Sequence, residues 1–65
     1  METPESSDIL RFDWNDEILT VEFRKSGVYN YHSVPEWLFQ QMEIADSKGK
    51  FLNRYIKGKF NYDRS

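Results

Sequence analysis

Three short stretches of the chain alternate apolar and polar residues with a period of two, and this pattern limits its folding options more than any other feature. In 8-DILRFDW-14 the side chains of Leu10, Phe12 and Trp14 share one face of an extended backbone, and in 18-ILTVEFR-24 those of Leu19, Val21 and Phe23 do the same. The two stretches read as a hairpin. A two-residue turn at Asn15-Asp16, residues that tolerate positive φ, pairs Phe12 with Leu19 and Leu10 with Val21. The third stretch, 28-VYNYHS-33, spaces Tyr29 and Tyr31 by two. Two registers are open there. A two-residue Ser26-Gly27 turn sets Tyr29 beside Arg24 and Tyr31 beside Glu22, away from Phe23. A three-residue Lys25-Ser26-Gly27 loop, with Gly27 left-handed, pairs Phe23 with Tyr29 and Val21 with Tyr31. One residue of slip moves every side chain to the other face. The longer loop is favoured because it collects all the apolar strand residues on one face, which makes the tyrosines core residues with hydroxyls at the rim.

Size explains why aromatics matter here. A chain of 65 residues holds one domain and buries only about 60% of its unfolded surface. With no cysteine there is neither a disulfide nor a thiolate metal site to add stability, so apolar packing must supply it. Aromatic residues make up 17% of the chain, and each can bury roughly 150–250 Å². Residues 1–7 are polar and aperiodic and read as a flexible terminus, leaving a single domain over residues 8–65. No apolar run approaches the ~20 residues of a membrane span, and the acidic start does not resemble a signal peptide. A soluble, cytoplasmic protein with no membrane partner is expected.

Beyond the strands, Ser33 and Glu36 have capping-box spacing, with Pro35 in the first turn of a helix. Within residues 36–48, Leu38, Met42 and Ala45, with Phe39 alongside, form an apolar stripe that Gly49 is placed to end. A shorter helix is expected over residues 50–58, with Phe51, Leu52, Tyr55 and Ile56 on its apolar side and Gly58 at its end. The tail, residues 59–65, spaces Phe60 and Tyr62 by two and is expected to lie extended against the sheet. The fold class is therefore α+β, a three-stranded antiparallel meander followed by two helices packed on one sheet face.

Charge is divided unevenly. Residues 1–47 carry three positive against ten negative charges, whereas residues 48–65 carry six positive against Asp63 alone. Lys48, Lys50, Arg54, Lys57 and Lys59 interleave with Phe51, Tyr55, Phe60 and Tyr62, the combination by which single-stranded nucleic acid is bound. The competing assignment places those aromatics in the core and sets the basic segment against the acidic part of the same molecule. Trp37, beside the Leu38–Met42 stripe, and Tyr55 are the candidate contacts for a protein partner. Catalysis is not expected. His32 and Ser33 are adjacent on a strand and point to opposite faces, so they cannot form a nucleophile–base pair. His32 reads as an exposed strand histidine, and no spacing of His, Asp and Glu matches a metal site, so no cofactor or metal is expected. The run Ser47-Lys48-Gly49-Lys50 lacks the earlier glycine of a phosphate loop and reads as a helix-ending turn.

The spacing of 19-LTVEF-23, Gly27, 29-YNY-31, 34-VP-35, 47-SKGKFLN-53 and 60-FNYDR-64 resembles the KTSC domain, over roughly residues 6–64. That family is named after the C-terminus of lysyl-tRNA synthetases, and it includes small stand-alone bacterial proteins. In the stretch 13-DWNDE-17 the connection is shorter than the family's usual one. The resemblance implies RNA, either tRNA or single-stranded, as the partner, with an unknown protein as the alternative.

Overall fold

The computed structural model describes residues 9–65. The expectations for residues 1–8, a flexible terminus and a strand start at Asp8, lie outside the described residues. Strands β1 (Ile9–Asn15), β2 (Ile18–Phe23), β3 (Gly27–Tyr31) and β4 (Tyr62–Arg64) form one antiparallel sheet in the order β1-β2-β3-β4. The α+β class holds, but the sheet has four strands where three were expected. The extended tail does lie against the sheet, and it pairs as a strand, with Tyr62 opposite Tyr31 and Arg64 opposite Tyr29.

Both hairpins place their apolar residues on the expected face while differing in register. In the first, Phe12 pairs with Val21 and Trp14 with Leu19, because the turn lies at Asp16-Glu17, both at positive φ. Moving a turn by one residue shifts the pairing by two, which preserves the face. The bond from the Val34 N–H to the Glu17 carbonyl (2.9 Å) and that from the Trp14 indole N–H to the Val34 carbonyl (2.7 Å) tie this turn to the segment after β3. In the second hairpin Val21 pairs with Tyr29 and Leu19 with Tyr31, with residues 24–26 looping between Phe23 and Gly27. Gly27 has the expected positive φ of 91°, which lets it follow the loop without a Cβ clash. Leu10 is a correction. The register shifts between Ile9 and Arg11, so Ile9 packs against the core and Leu10 is exposed.

Two helices cover the apolar face. Helix α1 (Glu36–Glu43) starts from Pro35, and Ser33, held at φ 63°, does not cap it, so the expected capping box is absent. The helix also stops short of residue 48. Ser47 takes an extended backbone and its hydroxyl accepts from the Lys50 N–H (3.2 Å), starting helix α2 (Lys48–Phe51), and a residue in that conformation cannot continue the preceding helix. Gly49 thus lies buried in the first turn of α2 and does not terminate α1. Helix α2 runs into a π-helical turn, Leu52–Ile56, closed by the Lys57 N–H on the Leu52 carbonyl (2.8 Å), and Gly58 at φ 78° reverses the chain as expected. Leu19, Val21, Phe23 and Tyr31 from the sheet meet Leu38, Met42, Leu52 and Ile56 from the helices, with Val34 between them, to form the core. No helix among the described residues is long and apolar enough to cross a membrane.

Candidate nucleic-acid interface

At one end of the sheet the helices leave the apolar face partly uncovered, and an aromatic cleft of about 350 Å³ opens there. It is lined by Phe23, Tyr29, Tyr31 and Tyr62, with Ser26, Lys57 and Gly58 completing the lining. The pairing of β3 with β4 builds the wall. The Tyr29 and Tyr62 ring centroids lie 5.2 Å apart, those of Tyr31 and Tyr62 5.6 Å, and Phe23 meets Tyr29 edge-on at 5.4 Å. The gradient of exposure across these rings is steep, from 2% at Tyr31 to 55% at Tyr62. Burial, reinforced by the neighbouring phenols of Tyr29 and Tyr62, pushes the Tyr31 hydroxyl pKa up to about 12. Among the described residues nothing hydrogen-bonds to that hydroxyl.

Two cations flank the rings. The turn at Gly58 leaves the Lys57 ammonium 5.6 Å from the centre of the Phe23 ring, and the Arg64 guanidinium lies 5.2 Å from that of Tyr29 while donating to the Ser26 carbonyl (2.9 Å). Among the described residues no carboxylate lines the cleft. Arg64 was not among the candidate contacts read from the sequence. The signal for it was its two-residue spacing from Tyr62 in a strand-like tail.

The basic residues singled out in the sequence divide into three groups. Lys48 donates its ammonium to the Ala45 carbonyl (2.8 Å), in the turn that follows α1. Lys50, Arg54 and Lys59 are exposed along α2, the π turn and the following loop, with Arg54 5.9 Å from the Tyr55 ring, which in turn packs on Phe51 at 4.7 Å. Lys57 alone reaches the cleft. Among the described residues none of Lys50, Arg54, Lys57 and Lys59 forms an ion pair, so the competing assignment, basic segment against acidic part, gains no ion pair from them there.

Elsewhere, Trp37 at 63% and Ile44 at 74% exposure leave an apolar surface on and just beyond α1, and Tyr55 is also exposed. On the opposite face of the sheet a polar network ties β4 down. Asn30 donates to Asp63 (3.0 Å) and to Ser65 (2.9 Å) and accepts from Thr20 (2.9 Å), and His32 meets the second Asp63 oxygen at 2.7 Å. These bonds, Asn30 first and His32 next, hold the Asp63 carboxyl below its ordinary range. His32 therefore lies just past the end of β3 and is half-buried, not an exposed strand histidine, and its partner is supplied by a tail whose pairing the sequence did not specify. No group of three or more His, Cys, Asp and Glu among the described residues is arranged to hold a metal ion.

Residues 5–60 match the KTSC domain. The chain is 38% identical over 63 residues to the lysine–tRNA ligase of Nostoc punctiforme, a match covering 94% of this chain and 11% of the ligase. An uncharacterised protein of Stutzerimonas stutzeri is 38% identical over 48 residues, which is 74% of this chain and 68% of the relative. A crystal structure of a KTSC domain protein from Yersinia pestis superposes with a TM-score of 0.88 at 40% identity, covering 92% of this chain and 87% of that one. The chain therefore spans about a tenth of the length of the ligases it matches.

Proposed function

Because the chain belongs to the KTSC domain family, some of whose sequence relatives are lysine–tRNA ligases, we propose that it is a non-catalytic RNA-binding module for tRNA or single-stranded RNA. The observation that carries this reading is the set of exposed cations Lys50, Arg54, Lys57 and Lys59, without ion pairs among the described residues, one of which, Lys57, lines an aromatic cleft. Lys48 contributes less to binding, since its ammonium is held on the Ala45 carbonyl. Binding is weak, micromolar or poorer, because the acidic remainder of a molecule with net charge −2 repels phosphate.

An NMR titration with short single-stranded RNA at about 50 mM salt tests the reading. Amide shifts are expected across residues 50–59 and in β4, and Lys50→Glu combined with Lys59→Glu should reduce them while the rest of the spectrum stays folded. A second reading, a protein-interaction module, has its own support in the exposed Trp37 and Ile44. No shift with RNA at this salt would remove the first reading and leave the second.

A further inference from the structure

We propose that the tyrosine cleft is a pocket for one unpaired nucleobase, held against Tyr62 with its phosphate on Lys57 and Arg64. The inference rests on the RNA-binding reading and assigns it a second kind of contact, one that ion pairing alone does not provide. The argument begins with Tyr31. A hydroxyl on a side chain only 2% exposed ordinarily has a hydrogen-bond partner, and among the described residues this one has none. Tyr31 lines the cleft, so an acceptor on the edge of a bound base, a carbonyl oxygen or a ring nitrogen, supplies the missing partner. The hydroxyl remains a donor throughout the physiological range, since its pKa is about 12.

Shape restricts the ligand further. A volume of about 350 Å³ lies at the low end for small-molecule sites and is sufficient for a single base. The rings of Tyr29, Tyr31 and Tyr62 are already in mutual contact at 5.2–6.3 Å and leave no slot between them. The base therefore stacks on the part of Tyr62 that lines the cleft, the most exposed of the three rings and a sequence-tolerant one because every base has a π-face. Charge sets the polarity of the site. Lys57 and Arg64 stand over Phe23 and Tyr29, and among the described residues no carboxylate lines the cleft to compete with a phosphate. Arg64 uses one guanidinium nitrogen on the Ser26 carbonyl and retains further N–H donors.

The test compares a short single-stranded RNA with an oligomer of equal length and phosphate count that carries no bases, on the full chain, followed by NMR. The base-bearing oligomer should bind about tenfold more tightly and shift the Tyr62 ring resonances. Tyr62→Ala should abolish that difference, Tyr62→Phe should preserve it because stacking needs only the ring, and Tyr31→Phe should reduce it. Equal affinity for the two oligomers, with Lys50→Glu and Lys59→Glu still weakening both, would overturn the base pocket and leave the RNA-binding reading standing. Absence of binding by either oligomer would overturn both.

Discussion

Tyr31 connects the core to the cleft. Its ring packs among Leu19, Val21 and the helices, while its hydroxyl has no hydrogen-bond partner among the described residues. Truncating the ring should therefore be costly and removing the hydroxyl should not. Tyr31→Ala is expected to destabilise by about 3–5 kcal/mol in chemical denaturation, the range for deleting a buried aromatic. Tyr31→Phe is expected to stay within about 0.5 kcal/mol of the parent or to exceed it, since it deletes a buried donor left unsatisfied by the protein. A loss above about 1 kcal/mol for Tyr31→Phe would mean that the hydroxyl is bonded. Raising the folded-state pKa of a phenol above its unfolded value of about 10 adds stability that is complete below that value and disappears as pH rises toward about 12. That both tyrosines face the core was legible in the sequence, because the period-two pattern assigns faces. Leu10 was misassigned because a bulge inverts the alternation without altering the sequence pattern. His32 was read as merely exposed because its partner, Asp63, arrives from a strand 31 positions away in the chain.

At the scale of elements, alternation decided the face and left the register open, since a turn moved by one residue shifts pairing by two and preserves the face. Local turn chemistry favoured Asn15-Asp16, yet the turn forms at Asp16-Glu17, where the Glu17 carbonyl accepts from Val34 and ties the hairpin to the strand–helix junction. Glu17 consequently occupies positive φ at 65°. Glu17→Gly should relieve this and raise stability by about 0.5–1 kcal/mol, measured as a higher denaturation midpoint at unchanged slope. Helix lengths were misjudged because the apolar stripe from Leu38 to Ala45 carries no mark of where Ser47 opens a second helix. The strand β4 was anticipated as an extended tail, and what it lacked in the sequence was any feature distinguishing contact from pairing. Its attachment should depend on pH. Asp63 has a folded-state pKa below its unfolded value, so its contribution is present above the ordinary carboxylate range of about 4 and is lost as pH falls through the lower folded value. Hydrogen-exchange protection in β4, taken relative to the intrinsic exchange rate at each pH, is therefore expected to fall on acidification before protection in β2 does, and Asp63→Asn should remove that pH dependence.

For the molecule as a whole, family membership and fold agree, and the distribution of charge carries the functional argument. The basic C-terminal part was visible as a count. The structure separates its members: Lys48 is held on the turn after α1, Lys57 and Arg64 flank the cleft's rings, and Lys50, Arg54 and Lys59 remain exposed. That separation depends on where α2 starts and where β4 pairs, neither of which the charge pattern encodes. The central claim is that Lys50, Arg54, Lys57 and Lys59 contact RNA phosphates, and the salt dependence of binding measures it most directly. Four phosphate contacts give a slope of log K against log [salt] of about −2.8 for a single strand, so raising salt from about 50 to 200 mM should weaken binding roughly 50-fold. Binding whose affinity is unchanged over that range, and unchanged by Lys50→Glu with Lys59→Glu, would contradict the claim.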